Sequence, residues 1–304
     1  MTEPSAGRAP WAVMTIDLPS ESEEPLVRVL CEAGALGVQI STEGPLPPGR
    51  AVLHAYFEAE RPLPGREELL RLCPGAAGMK ILSTRAVADE RWVERWIASL
   101  DPFEIGSRFR VEPVVDAEEA SPPEIGGMHG GDGRIVLRIV PGRAFGTGEH
   151  ATTCLCLEAL ERLDPAGRSL LDVGTGSGIL AIAAIALGFA GATGIDLDPE
   201  AIRVARSNAQ LNGIAHVIDL HEGTAAAIGG SFDVVVANLN SGVIEASIAE
   251  LVAAVAPGGT LILSGLLEVE ASPVAALAAR HGAGAASIAS RDGWSCAVME
   301  LPGA

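Results

Sequence analysis

Apolar and polar positions fall into two rhythms along the chain. Up to residue 87, short alternating stretches predict strands at Trp11–Leu18, Leu36–Ser41, Ala51–Glu58 and Met79–Val87. Apolar residues at helical spacing predict helices over Glu21–Ala33 and Arg66–Leu72, and the Pro/Gly cluster Gly44–Gly49 marks a turn. In order these elements read β-α-β-β-α-β, a ferredoxin-like unit. A helix over Asp89–Ser99 follows, carrying Trp92 and Trp96 one turn apart on one face, a spacing that serves packing before ligand contact. Phe103–Val115 and Arg134–Val140 read as strands on either side of a Pro/Gly/Glu-rich connection, Glu118–Gly133.

From Gly148 onward helices and strands alternate. Thr152–Leu163, Gly178–Leu187, Glu200–Asn212, Val243–Val255 and Val274–Arg280 read as helices. Ser169–Val173, Ala192–Leu197, His216–His221, Phe232–Asn238 and Thr260–Ser264 read as strands, with a closing pair at Ala285–Ser290 and Ser295–Leu301 about Asp292-Gly293. Apolar strands alternating with helices imply a parallel sheet covered on both faces, and the last pair adds an antiparallel edge. The expected class is α/β: a Rossmann-like domain over residues 116–304, a linker helix and connection over 89–115, and a small α+β, ferredoxin-like domain over 1–88.

Composition narrows this picture. A chain of 304 residues, 48% hydrophobic and 20% charged, has the make-up of a globular protein with room for two domains. A formal net charge of −18 argues against direct nucleic-acid binding, which needs clustered Lys and Arg, and suits a basic protein partner or simple solubility. The five cysteines, Cys31, Cys73, Cys154, Cys156 and Cys296, form no C-x-x-C pair and no zinc spacing. Reduced, buried thiols in a cytoplasmic monomer are the expectation, with no metal. The opening Met1–Ser5 has no basic-then-apolar order. The uncharged run Gly174–Ile195 has the length of a membrane span, but its glycines and strand signals predict a buried helix and strand instead.

Three stretches carry chemistry. Leu170–Leu180 is an apolar run broken by Gly174, Gly176 and Gly178, which reads as a strand, a tight turn and a helix start. Glycine serves there because a Cβ blocks positive φ and close approach of a ligand to the backbone. The backbone N–H groups of that turn, with the helix N-terminus, suit a carboxylate, and Asp172 faces an amine or orients the loop. A second apolar strand ends at Asp196, about 20 residues on, where a carboxylate accepts hydrogen bonds from ribose hydroxyls. Asp198, before Pro199, serves as ligand or as helix cap. The pair of stretches indicates an adenosine-containing cofactor. Arg143–Thr153 sets glycines beside Thr147, His150, Thr152 and Thr153, able to approach a ligand and to cap a helix. Phe232–Asn238 delivers Asn238 to the carboxyl edge of the sheet, where its carbonyl can accept a hydrogen bond from a substrate amine.

Ala144-Phe145-Gly146-Thr147-Gly148-x-His150-x-Thr152-Thr153, Leu171–Leu180, Gly194–Pro199 and Val235-Val236-Ala237-Asn238, in that order, closely resemble the ribosomal protein L11 methyltransferase family (PrmA). Trp92–Trp96 and Phe103–Phe109 resemble that family's linker and the start of its catalytic domain. The resemblance implies a class I, S-adenosylmethionine-dependent methyltransferase acting on lysine side chains and the N-terminal amine of a basic ribosomal protein, with the small domain holding the substrate. It further implies that Asp172, Gly174, Thr175, Gly176 and Asp196 hold the cofactor. Phe145, Thr147, Gly148, His150 and Thr153 would close over it, and Asn238 would meet both cofactor and amine. Glu149, Ala151 and Asn240 depart from the family pattern, which has a less acidic residue, often a proline, and an aliphatic residue there.

Overall fold

The computed structural model describes residues 11–35, 37–41, 47, 49–58, 62–87, 100–115, 128–141 and 148–303. The expected helix Asp89–Ser99 with its two tryptophans, and most of the Glu118–Gly133 connection, lie outside them. The chain divides into two compact units, Met1–Ser99 and Leu100–Ala304.

The first unit follows the order β1 (Trp11–Pro19), α1 (Glu23–Glu32), β2 (Gly37–Ser41), β3 (Arg50–Glu58), α2 (Arg66–Leu72) and β4 (Lys80–Val87). Its sheet has the order β2-β3-β1-β4, antiparallel at every pairing. Alternation puts Ile16, Leu18, Leu53 and Phe57 on the inner face, where they pack with Leu26 and Leu30 of α1 and Leu69 of α2. Arg50 bridges Asp17 on the neighbouring strand at 2.7 Å, and that guanidinium holds the Asp17 carboxyl below its usual range.

The second unit begins with a three-stranded sheet, β5 (Phe103–Ile105), β6 (Phe109–Pro113) and β7 (Ile135–Ile139). The single strand expected over Phe103–Val115 is therefore two. The turn between them is enforced by Gly106 at φ +56° and by Glu161, whose carboxylate accepts from the N–H groups of Ser107 at 3.0 Å and Arg108 at 3.1 Å. A long-range carboxylate makes this turn, so alternation alone did not reveal it.

The main body runs α3 (Ala151–Leu160), β8 (Ser169–Val173), α4 (Ile179–Leu187), β9 (Gly191–Asp196), α5 (Pro199–Leu211), β10 (Ile218–Glu222), α6 (Ala225–Ile228), β11 (Phe232–Asn238), α7 (Ser241–Ala253), β12 (Val255–Leu267), α8 (Glu268–Arg280), β13 (Ala286–Arg291) and β14 (Trp294–Glu300). Its sheet order is β10-β9-β8-β11-β12-β14-β13. The first five strands in that order pair in parallel and the last two antiparallel. Both faces are buried: Val234 and Val236 of β11 join the core under α3, α4 and α5, while Val235 and Ala237 join the core under α7 and α8. This is the Rossmann-like arrangement that the alternating pattern predicts. The uncharged run resolves into the nine-residue helix α4 and buried strand β9. Among the described residues no helix is long and apolar enough to cross a membrane. Helix α8 starts at Glu268 rather than Val274 and carries Pro273 inside it. Its first turn is held by Glu270, which accepts from the Leu267 N–H at 2.8 Å and from the Ser241 hydroxyl at 2.9 Å.

Candidate functional site

Strands β9, β8 and β11 are neighbours, and their carboxyl ends carry Asp196, Asp172 and Asn238. Register places Asp172 beside Val236 on one side and Gly194 on the other. The three polar groups proposed from widely separated stretches thus converge on one edge, the place where open α/β sheets bind ligands.

The glycine turn leaves β8 with Gly174, Gly176 and Gly178 at φ +73°, +53° and +81°. Its first donors are spent within the protein. The N–H groups of Gly174 and Thr175 both donate to the Ile195 carbonyl, at 2.8 and 2.9 Å, and Gly176 N–H donates to Asp196 Oδ2 at 3.0 Å. The expectation that these amides meet a cofactor carboxylate is corrected accordingly: they tie the loop to β9. Gly178 stands at the start of α4, where a Cβ would lie 3.0 Å from the Ala205 Cβ of α5, so only glycine lets the two helices meet here.

Asp172 is buried. Its Oδ2 accepts from the Thr175 hydroxyl at 2.7 Å, and its Oδ1 has no hydrogen-bond partner. Burial, only partly offset by that hydroxyl, pushes its pKa up to about 7. Asp196 also accepts from the Asp198 N–H at 3.0 Å through Oδ1. Each of its oxygens keeps a second lone pair. Asp198 is the cap of α5, accepting from the Glu200 N–H at 2.9 Å.

Phe145 and Thr147 lie outside the described residues. Gly148 is buried at φ +98°, where a Cβ would come within 3.2 Å of Phe103, Val111 and Ile179. His150 caps α3, its Nδ1 accepting from the Thr152 N–H at 3.4 Å and meeting the Thr152 hydroxyl at 2.8 Å. Its ring also meets Trp294 edge-on at 4.9 Å, and burial lowers its pKa. Thr153 is buried in the first turn of α3. Its hydroxyl accepts from Asn238 Nδ2 at 3.4 Å, which leaves Asn238 Oδ1 buried without a partner.

Sequence reading missed the residues behind these. Asn208 and Asn212, one turn apart at the end of α5, are buried and bond to Ser177 of the glycine turn and to β7. Their signal was an asparagine pair at i, i+4 on an otherwise apolar helix face. Trp294, brought beside His150 by the C-terminal hairpin, had none. Among the described residues there is no group of three or more His, Cys, Asp or Glu placed to hold a metal, and Cys73, Cys154, Cys156 and Cys296 are buried free thiols.

The strand ends suit an adenosyl amino acid. Two buried acceptors without donors, Asp172 Oδ1 and Asn238 Oδ1, stand on adjacent strands, and native proteins seldom leave such groups unsatisfied. Beside them, a Cβ on Gly174 would come 2.3 Å from Leu239, so the turn packs against the residue that follows β11 as bare backbone.

The family profile of ribosomal protein L11 methyltransferase (PrmA) matches residues 10–302. The chain is 35% identical over 289 residues to the ribosomal protein L11 methyltransferase of Pelotomaculum thermopropionicum, covering 87% of this chain and 90% of that one. It is 35% identical over 306 residues to the protein of the same name from Syntrophotalea carbinolica, covering 94% and 96%. The crystal structure of a ribosomal protein L11 methylase from Lactobacillus delbrueckii subsp. bulgaricus superposes with a TM-score of 0.57 at 26% identity, over 67% of this chain and 98% of that one. With a family match that runs nearly end to end and relatives 35% identical along most of their length, this chain belongs to the ribosomal protein L11 methyltransferase family.

Proposed function

We propose that this methyltransferase moves a methyl group from S-adenosylmethionine to amines of a basic ribosomal protein of the L11 type, on lysine side chains, the N-terminal amine or both. When bound, the donor supplies an electrophilic methyl on a sulfonium sulfur. In this reading Asp172 and the carbonyls of the glycine turn take the ammonium of the donor's amino-acid end, because the turn's first N–H groups are already paired with β9. Asp196 accepts from the ribose hydroxyls through its remaining lone pairs. Gly148, His150 and Thr153 form the near wall.

The observation that carries the proposal is the unpartnered Asn238 carbonyl at the end of β11. Thr153 holds the amide with its nitrogen turned away, so Oδ1 is left to accept from an incoming amine and aim its lone pair. That is catalysis by orientation, with no nucleophile from the protein. Desolvation beside the buried strand ends favours the neutral amine, the form that can attack. The small N-terminal domain, residues 1–88, holds the protein substrate, and the acidic surface draws a basic one.

The test is to incubate the protein with isotope-labelled donor and free, undermethylated L11, then locate the label by mass spectrometry. Label on amines of L11, lost by about a hundredfold or more in Asn238→Ala while S-adenosylhomocysteine still binds, is the expected result. Equal labelling by that variant, or label on groups other than amines, would overturn it.

A further inference from the structure

Asn208 sits in the last turns of α5, fully buried, away from the three strand ends that carry the proposed chemistry. Both ends of its amide are used. Nδ2 donates to the Ser177 carbonyl inside the glycine turn at 2.8 Å, and Oδ1 accepts from the Val140 N–H at 3.1 Å. Val140 directly follows β7. One side chain therefore joins the glycine turn to the end of β7.

The surroundings make this join stiff. Asn212, one turn on, grips β7 as a second amide, with Oδ1 accepting from the Arg138 N–H at 3.0 Å and Nδ2 donating to the Arg138 carbonyl at 2.7 Å. The same Nδ2 donates to the Asn208 carbonyl at 2.8 Å. On the loop side, Gly178 lies against Ala205, one turn before Asn208, so α5 and the turn are in backbone-level contact. Asn212 ties α5 to β7 alone, whereas Asn208 also reaches the glycine turn. A purely structural join needs β7 only. The bond to Ser177 adds a tether from α5 to a turn that Thr175 and β9 hold from the other side.

We infer that Asn208 is a positioning residue for donor binding: it fixes the glycine turn against the end of β7, and so fixes the backbone on which the donor rests. The inference rests on the reading of this edge as the S-adenosylmethionine site. Asn212 supplies the internal control, because its loss removes a comparable set of buried bonds to β7 without touching the turn.

Asn208→Ala and Asn212→Ala are compared with the wild type by thermal unfolding, by calorimetric titration with S-adenosylhomocysteine, and by steady-state kinetics on L11. Asn208→Ala is expected to weaken S-adenosylhomocysteine binding and raise the donor KM at least tenfold, with kcat at saturating donor within about threefold and the KM for L11 unchanged. Asn212→Ala is expected to lower the melting temperature by a similar amount while keeping donor affinity within twofold. If Asn208→Ala does not fold, Asn208→Ser, which keeps one hydrogen-bonding atom in the buried site, is held to the same thresholds. Donor affinity within twofold of wild type in the Asn208 variant, or equal losses in both variants, would overturn the inference. Failure of the wild type itself to bind S-adenosylhomocysteine would instead overturn the donor-site reading beneath it.

Discussion

Asp172 is a carboxylate that the fold keeps dry. Its ordinary pKa is 3.8, and burial raises it to about 7. Between those values the folded protein retains a proton that the unfolded chain has released. The contribution of Asp172 to unfolding free energy therefore falls as pH rises from about 4 to 7, by at most ~1.4 kcal/mol per pH unit, or about 4 kcal/mol in all. Measured against Asp172→Asn, the wild type should lose melting temperature across that range, with the difference levelling off above it. Asp172→Asn should flatten the slope and raise the melting temperature at pH 8, yet bind S-adenosylhomocysteine at least tenfold more weakly. Thermal scans from pH 4 to 8 with titrations at pH 8 check both, and an unchanged slope would remove the assignment. Methyl transfer should run the other way with pH, because a lysine amine with a free pKa near ~10.4 must lose its proton to attack. With chemistry rate-limiting, kcat/KM should climb between pH 7 and 9, and a flat profile counts against an amine acceptor. Asp172, Asp196 and Asn238 were legible as polar residues ending apolar strands. Which of their atoms lack partners was not, since that depends on Thr175 and Thr153 rotating toward two of them.

Elements hold these residues through a few close approaches. Gly178 combines φ +81° with α5 at van der Waals distance, a Cβ there lying 3.0 Å from the Ala205 Cβ. Gly178→Ala should therefore destabilise by about 2–3 kcal/mol, from left-handed strain plus displacement of α5. Gly167→Ala is the matched comparison: φ is +72° with open space around it, so strain alone should cost about 1–2 kcal/mol. Chemical denaturation of the two variants separates crowding from strain. Periodicity placed most helices and strands of the second unit, because buried parallel strands read as apolar runs between turn signals. It failed where a distant group sets the boundary. Glu161 from the end of α3 makes the β5–β6 turn, and Glu270 with Ser241 starts α8 a turn before its interior proline. Glu161 and Ser241 lie 54 and 29 residues from the groups they bond, outside any window, while Glu270 is a local cap whose signal the interior Pro273 obscures.

For the whole molecule, charge decides how a substrate arrives. A net charge of −18 surrounds the protein with a potential that attracts a basic partner and is screened over about 8–10 Å at ordinary salt. The KM for L11 should rise several-fold between about 50 and 300 mM salt, while S-adenosylhomocysteine affinity changes less than twofold, since the donor site is buried. Steady-state assays across that range, paired with titrations, test this, and a salt-indifferent KM would show that contacts other than charge bring the substrate in. Taken alone, the order of residues determined the α/β class, the glycine turn, the strand-end polar groups and the family resemblance, because each depends on local pattern and on motifs that keep their sequence spacing. Tertiary structure alone decided that β8, β9 and β11 stand side by side, that the turn's amides are consumed by β9, that His150 is a helix cap under Trp294, and that Asn208 ties turn to strand. Those facts depend on groups 20 to 144 residues apart finding one another as the sheet closes, and hydrogen-bond satisfaction is settled only when every neighbour is in place.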